Sequence, residues 1–461
     1  MEPVTLIDRL NTWIRESVTV KLISIGILVI LLLIPTAWIL QIMEERQQRA
    51  GDVMEEVYGK WSGSQTVAGP VWIVPYRKME KSLSTSGQSQ SREVIDHAFF
   101  LPSTLKITGL LKPQVLHRGI FDIAVYESEL ELEAAFDAPD LAALGIAPDD
   151  MMWNDARLVA GISDLRGIAE PPVLVAGQTP LVVEPSNDIG FSFPGGDKHS
   201  SANRAAGTTG VQAPWKGSTA KDFKGVIRLQ LSLKGSNSLR FLPLGKTTDL
   251  TLGGAWSDPG FEGEFLPVTR RISKEDFEAS WKVLHFNRPF VQQWVSRDKT
   301  LEAYDMSTRL VIPADQYQKS IRTAKYGILL ILLSFTALFL VEISRKIRIH
   351  PFQYILVGVA LIVYYTLLLS LSEYAGYNTA YLAATIATVI LVSLYAKSFL
   401  KNTQLSVLFA GLLSLFYGFV FVVIQAQDFS LLLGSIGLFA VVAAIMYFSR
   451  SINWYGEDTN H

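Results

Sequence analysis

Long apolar stretches occupy the two ends of this chain, while its middle alternates. One run covers residues 22–42. The next begins at Tyr326, and five follow in close order, at 326–343, 352–371, 377–395, 405–425 and 429–448. A helix needs about 20 apolar residues to cross the hydrocarbon core. The pattern therefore predicts a membrane protein with six transmembrane α-helices, one N-terminal and five C-terminal. The first run exceeds the apolar core of a secretion signal, and no small-x-small cleavage site follows it. It is expected to remain as an anchor.

Between the first and second spans the period changes. Val53, Met54, Val57, Tyr58 and Trp61 recur at helical spacing and extend the anchor as an amphipathic helix. Beyond it, Ile227, Leu229, Leu231 and Leu233 alternate with Arg228, Gln230, Ser232 and Lys234, the mark of a strand with one wet face. Leu239 and Phe241 repeat the pattern, and 235–238 (Gly-Ser-Asn-Ser) reads as a hairpin turn joining the two strands. Leu250 and Leu252 continue the alternation. Further strands are expected at 66–76, 93–100, 104–111, 121–136, 180–183, 265–272 and 306–312, with a helical insertion at 140–158. Together they predict a large exported, mainly-β domain resembling an antiparallel sandwich. Segments 81–92 and 194–222 are rich in Ser and Gly and poor in large apolar residues, so both are expected as loops. Near the end of the domain, a polar helix at 314–325 leads into the second span.

Lys and Arg set the direction of the spans. Arg9, Arg15 and Lys21 precede the first; Arg345, Lys346 and Arg348 follow the second; Lys397 and Lys401 follow the fourth; Arg450 follows the sixth. The alternate loops carry Glu373 and Asp428 and no basic residue. Six crossings put every basic segment on one side. The expected division is a cytoplasmic N-terminal segment (1–21), a first span (22–42), an exported domain (43–325), a five-helix bundle (326–448) and a cytoplasmic tail (449–461). A net charge of −2 gives no footprint for nucleic acid. Without a cysteine the exported domain has no disulfide and must be held by its core.

Seven stretches, in order, carry a family resemblance: GPVWIVPY at 69–76, FLPLGKTTDL at 241–250, WSDPGFEGEFLP at 256–267, KYGILLILLSF at 325–335, HPFQYILVG at 350–358, LLLSLSE at 367–373 and LLLGS at 431–435. With this topology they resemble the CreD family of bacterial inner-membrane, cell-envelope-integrity proteins, over nearly the whole chain. The resemblance implies an inner-membrane location and a link to envelope stress, often under a sensor-kinase and response-regulator pair. It implies no established reaction.

The residues themselves point to no catalytic, cofactor or metal site. At 245–247, Gly-Lys-Thr looks like the end of a phosphate loop, but Arg240 stands where that loop needs glycine. None of His97, His117, His199, His285, His350 and His461 is paired at a zinc-binding helical spacing. The spans hold Ser370, Ser393, Ser414 and Ser435 but no histidine to activate them, and no charge near their middles. Two binding readings stand. The first is an outward-facing polar groove with Glu373 and Asp428 at its mouth and Tyr364, Tyr377 and Tyr417 along it, suited to lipid headgroups or a partner helix. The second is stacking of a glycan on Trp61, Trp72, Trp256, Trp281 or Trp294. Asp96, Asp122 and Glu127 are nominal carboxylates for a hydrolase. The favoured reading is a non-enzymatic protein whose partners are membrane lipids and an envelope protein or polymer, with lipid handling by the bundle as the alternative.

Overall fold

The computed structural model describes residues 18–83, 89–194, 208–215, 217, 219, 225–297, 299–301, 304–312, 316–345, 347–426 and 429–450. The chain forms two compact units: Asp52–Pro313, and Met1–Gly51 together with Ala314–His461. The polar segment after 313 and the stretch 43–51 thus group with the membrane helices.

The first unit is a β-sandwich of strands β1 (Gln65–Leu83), β2 (Ser89–Phe100), β3 (Thr104–Arg118), β4 (Phe121–Ala135), β5 (Arg157–Ile162), β6 (Val173–Ala176), β7 (Thr179–Leu181), β8 (Glu184–Ser186), β9 (Phe191–Ser192), β10 (Gly210–Pro214), β11 (Val226–Ser236), β12 (Ser238–Phe241), β13 (Thr247–Gly254), β14 (Pro259–Gly263), β15 (Thr269–Ile272), β16 (Phe277–Leu284), β17 (Gln293–Val295), β18 (Lys299–Thr300) and β19 (Met306–Leu310). One sheet has nine strands, with β1 at its centre. A second has eight, in the order β15-β16-β13-β3-β4-β11-β6-β7, and β9 pairs with β18 in a short third sheet. A single core runs between the two large sheets, joining Trp72 and Phe99 of one sheet to Ile107, Leu132, Leu229 and Leu252 of the other, so the domain is one sandwich. Within it the Trp72 ring lies 5.2 Å from Phe100, 5.8 Å from Trp153 and 5.8 Å from Trp215.

Several expectations change here. The sheets are mixed: β1 runs parallel to β12, and β3 parallel to β13. The stretch 235–238 is no hairpin. β11 pairs with β4 and β6 in one sheet, while β12 pairs with β1 and β19 in the other. Asn237 takes a left-handed φ of 60°, a conformation asparagine tolerates, and the chain crosses the sandwich there. Ser236 Oγ donates to Ser62 O at 2.7 Å and Tyr126 Oη to Ser238 O at 2.8 Å, fixing the crossing on both sides. Alternation sets which face a strand buries; it does not name the neighbour. The insertion at 140–158 is helical only over Leu141–Leu144, capped by Asp140, followed by two 3-10 turns and the start of β5. The loop expected at 194–222 contains β10, with Val211 and Ala213 buried. The one at 81–92 supplies both ends of the β1–β2 hairpin, as far as the pair Leu83–Ser89.

The second unit is helical. Helix α1 (Val18–Trp61) is continuous through the anchor and the amphipathic extension. Within the sandwich unit, its Val57 packs with Ile123 and Val125. Asp164 holds the end of that extension: it accepts from Ser62 Oγ and Arg166, while Arg166 Nη1 donates to the otherwise open carbonyl of Gly59. Burial would raise the Asp164 pKa, but hydrogen bonds from Arg166 and Ser62 prevail and hold it below the usual carboxylate range. After the short α2 (Leu141–Leu144), the bundle comprises α3 (Gln316–Lys325), α4 (Gly327–Arg345), α5 (Pro351–Ala375), α6 (Tyr377–Leu400), α7 (Thr403–Gln425) and α8 (Ser430–Ser449). Gly376 alone separates α5 from α6, at a φ of 74° that glycine adopts without strain.

Five described helices are long and apolar enough to cross a bilayer: Val20–Trp61, Gln316–Arg345, Pro351–Ala375, Tyr377–Leu400 and Thr403–Gln425. Six were expected. The remaining segment is the helix α8, in which the apolar stretch among the described residues is the shorter Leu432–Ala443. The outer surfaces of these helices are apolar, with Ile30 64% and Trp38 65% exposed. Such a surface suits hydrocarbon and not water.

Candidate functional sites

In the bundle, Tyr364, Tyr377 and Tyr417 do come together, but as packed interior. All three are buried. Ring centroids lie 4.6 Å apart for Tyr364–Tyr417, 5.9 Å for Tyr364–Tyr381 and 5.7 Å for Tyr377–Tyr381. These are tilted and edge-on contacts of the kind aromatic quadrupoles favour. Tyr381 Oη donates to Tyr417 O at 2.6 Å, and the Tyr377 and Thr323 hydroxyls meet at 2.7 Å. The expected groove is thus filled by the side chains meant to line it. Glu373 accepts from Tyr317 Oη at 3.3 Å, a bond between α5 and α3. Asp428 lies outside the described residues.

At the opposite end of α5 stands a carboxylate that hydropathy alone hides. Glu342, on α4, is 3% exposed and carries an ion pair with Lys21 of α1. It also accepts from Tyr354 Oη at 2.9 Å and from the backbone N of Ile349 at 2.8 Å. Three segments therefore converge on one charge. An unpaired carboxylate in a span costs about 2.5–3.5 kcal/mol on insertion scales at mid-membrane; the donors around Glu342 offset that cost. Next to it, His350 caps the start of α5: its Nδ1 accepts from Phe352 N at 3.2 Å, and its own N donates to Gln353 Oε1 at 2.9 Å.

The candidates on the sandwich separate. Asp96 lies on β2, accepts from Tyr76 Oη at 3.2 Å and faces Lys78; burial and Asp96 push the Tyr76 pKa up to about 12. Asp122 pairs with His117 at 2.6 Å, and Glu127 with Lys234 at 3.5 Å. Asp122 and Glu127 share β4 at an odd spacing, hence on opposite faces. His285 meets the Phe286 ring at a tilt, while His97 is half-buried on β2. Among the described residues no group of three His, Asp or Glu side chains could hold a metal ion. Gly245 N donates to Thr248 Oγ1 at 3.0 Å and Lys246 pairs with Asp137 at 3.0 Å, a strand-entry turn with its lysine already engaged. Nor do the tryptophans form a stacking platform. Trp72, Trp281 and Trp294 are core; Trp256 donates to Val311 O, and Trp61 packs on the small cluster under α1.

What the sandwich does offer is a groove of about 830 Å³ on the outer face of the eight-stranded sheet. Two rows of outward positions cross it. One reads Thr251, Thr108, Glu131, Gln230 and Val173, over β13, β3, β4, β11 and β6. The next, one outward position along, reads Arg271, Glu278, Gly253, Leu110, Glu129 and Ser232, over β15 to β11. At about 4.8 Å per strand the second row is roughly 24 Å long. Gly253 leaves its centre without a side chain, and Ser232 keeps one end low.

The sequence profile of the family described as "Inner membrane protein CreD" matches residues 17–455. A curated relative, "Inner membrane protein CreD" of Escherichia coli (strain K12), is 31% identical over 442 residues, covering 94% of this chain and 93% of that protein. The chain belongs to the CreD family. It is accordingly an inner-membrane protein with several membrane-spanning helices.

For this CreD-family chain, two features escaped reading by sequence. Glu342 sits inside the predicted span 326–343, and its signal was present: one carboxylate in an otherwise uncharged run, with Lys21 and Tyr354 at matching depth. The groove had no such signal, because its residues come from strands that are not consecutive in the chain.

Proposed function

We propose that this protein is a non-enzymatic component of inner-membrane envelope integrity under stress, binding or scaffolding an envelope component through its β-sandwich on the periplasmic side. The observation that carries the reading is the open groove across the eight-stranded sheet. It is supported by the state of the sandwich carboxylates: Asp96, Asp122 and Glu127 are each engaged by a separate partner and do not converge as an acid–base pair would. Membership of a family of inner-membrane proteins supports the location, and the resemblance to cell-envelope-integrity proteins suggests the role under stress.

The orientation proposed has both termini in the cytoplasm. Lys21, Arg345, Arg348, Lys397 and Lys401 cluster by connectivity at one end of the up-and-down helices, which favours the cytoplasmic side. The proposal takes α8, whose 20 residues span about 30 Å, as the sixth crossing. The chain has no native cysteine, so introduced cysteines report cleanly. A cysteine at Ser398 is expected to resist impermeant maleimide in whole cells, and one at Asn187 to react; the reverse pattern overturns the orientation.

Function is tested by photo-crosslinking in intact membranes from positions across the sandwich and near Glu373. Capture of a defined envelope protein or polymer by the sandwich supports the reading. Capture of lipid alone around Glu373 moves the function to the bundle.

A further inference from the structure

We propose that the groove on the eight-stranded sheet takes an extended, basic polypeptide segment, with Lys or Arg side chains four positions apart. The inference rests on the binding reading above and names the class of partner.

Charge excludes the common anionic partners. Glu129, Glu131, Glu170, Asp276 and Glu278 line the groove against one guanidinium, Arg271. Arg271 is held between Asp276 at 3.7 Å and Glu278 at 3.9 Å, and Lys112 pairs with Glu129. Glu131 and Glu170 have no salt bridge among the described residues. A negative excess remains, and it repels nucleic acid, anionic lipid headgroups and acidic polymers.

Geometry selects a peptide over a small polyamine. Glu278 and Glu129 stand three strands apart, roughly 14 Å. In an extended chain, residues i and i+4 point the same way and are separated by roughly 13 Å. About seven extended residues cover the whole row. Between Glu278 and Glu129, Leu110 is 48% exposed, and at the end of the neighbouring row Val173 is 49% exposed, so both offer apolar contacts. Thr108, Thr251 and Gln230 present hydroxyl and amide groups to a peptide backbone. A polyamine uses the carboxylates alone. The bare centre at Gly253 lets a main chain lie close to the sheet.

The test uses the full chain in a neutral detergent and a labelled heptapeptide with lysine at its second and sixth positions and threonine and valine elsewhere, followed by fluorescence anisotropy. Glu129 and Glu278 are exposed, so Glu129→Gln with Glu278→Gln keeps the fold. Expected is saturable binding, weakened at least about tenfold by this double variant and unchanged by Glu93→Gln with Glu262→Gln, which lie outside the groove. Equal affinity in both variants, no binding by the unaltered chain, or spermine binding as tightly as the peptide overturns the proposal. Crosslinking from Ser232 and Thr251 in membranes separates the two levels. Capture there of a component lacking any basic segment ends the basic-peptide class and leaves the binding reading standing. No capture from any face of the sandwich ends the binding reading itself.

Discussion

The two units of this chain turn different kinds of side chain outward. In the sandwich, Trp72, Phe99 and Leu132 are inside and the carboxylates of β4 are outside. In the bundle, Ile30, Trp38 and Leu394 are outside, while Glu342 and the hydroxylated rings of Tyr354, Tyr364 and Tyr417 are inside. Each arrangement is the stable one for its solvent. Water drives apolar groups together. Hydrocarbon does not, so helices are joined by close packing and by polar contacts that lipid cannot satisfy. The close packing is visible at Gly358 of α5, where a Cβ would collide with Leu32 of α1. The same residue type therefore means different things in the two units, and substitutions should separate them.

The largest effect is expected in the sandwich. Trp72→Ala empties a site shared with Phe100, Phe136, Trp153 and Trp215, at a cost of about 3–5 kcal/mol. Limited proteolysis of the variant in membranes should cut within Asp52–Pro313 and leave the helical fragments intact. Protection of the sandwich at the level of the unaltered chain would show that the aromatic cluster is not what holds the two sheets together.

Glu342→Ala should come next. It removes the acceptor of Tyr354, Ile349 and Lys21 in one step, and hydrogen bonds to charged groups contribute about 1.5–3 kcal/mol. Lys21 is partly exposed, which keeps the ion pair's own share small. Tyr354→Phe, which deletes one donor, should cost about 1 kcal/mol. Thermal midpoints in detergent give the order. If Glu342→Ala were neutral, the bundle would depend on packing alone and the contrast between the units would shrink.

How much of this was legible depended on whether one segment carried the signal. The alternation over 227–233 was enough to identify β11 and its buried face. It could not say that the chain changes sheets at Asn237, because partner choice is made by distant β1 and β19. The five residues of β10 were lost in a Ser/Gly-rich stretch, although Val211 and Ala213 alternate. Glu342 was averaged away by apolar neighbours. Tyr364, Tyr377 and Tyr417 are buried in the bundle, and sequence cannot distinguish rings that line a groove from rings that fill it. The groove on the sandwich was unreadable, since Glu278, Leu110 and Glu129 become neighbours only through the order β16-β13-β3-β4.

A pH effect should appear in the water-facing unit. Burial, then Arg297 and Arg157, hold the His97 pKa below its ordinary 6.5, against smaller opposing effects of Asp96 and Asp188. In the interval between the depressed value and 6.5 the unfolded chain binds more protons than the folded one. Stability is therefore full above 6.5 and declines as the pH falls through that interval. His97→Gln should flatten this part of the sandwich's proteolytic stability profile. An unchanged profile would assign the acid sensitivity to other groups.

The smallest effect is expected at Glu373, and it decides between the two binding readings. Its one described hydrogen bond, from Tyr317 at 3.3 Å, is long and partly exposed, so Glu373→Gln should cost well under about 1 kcal/mol. It should also leave function intact, because Tyr364, Tyr377 and Tyr417 already fill the space a groove would need. Growth of cells under envelope stress, with the variant's abundance confirmed in membranes, measures this directly. Lost function at normal abundance would mean that the bundle opens in the bilayer and that Glu373 meets a ligand there. The working surface would then lie among the helices, and the acidic groove on the sandwich would no longer be the main candidate.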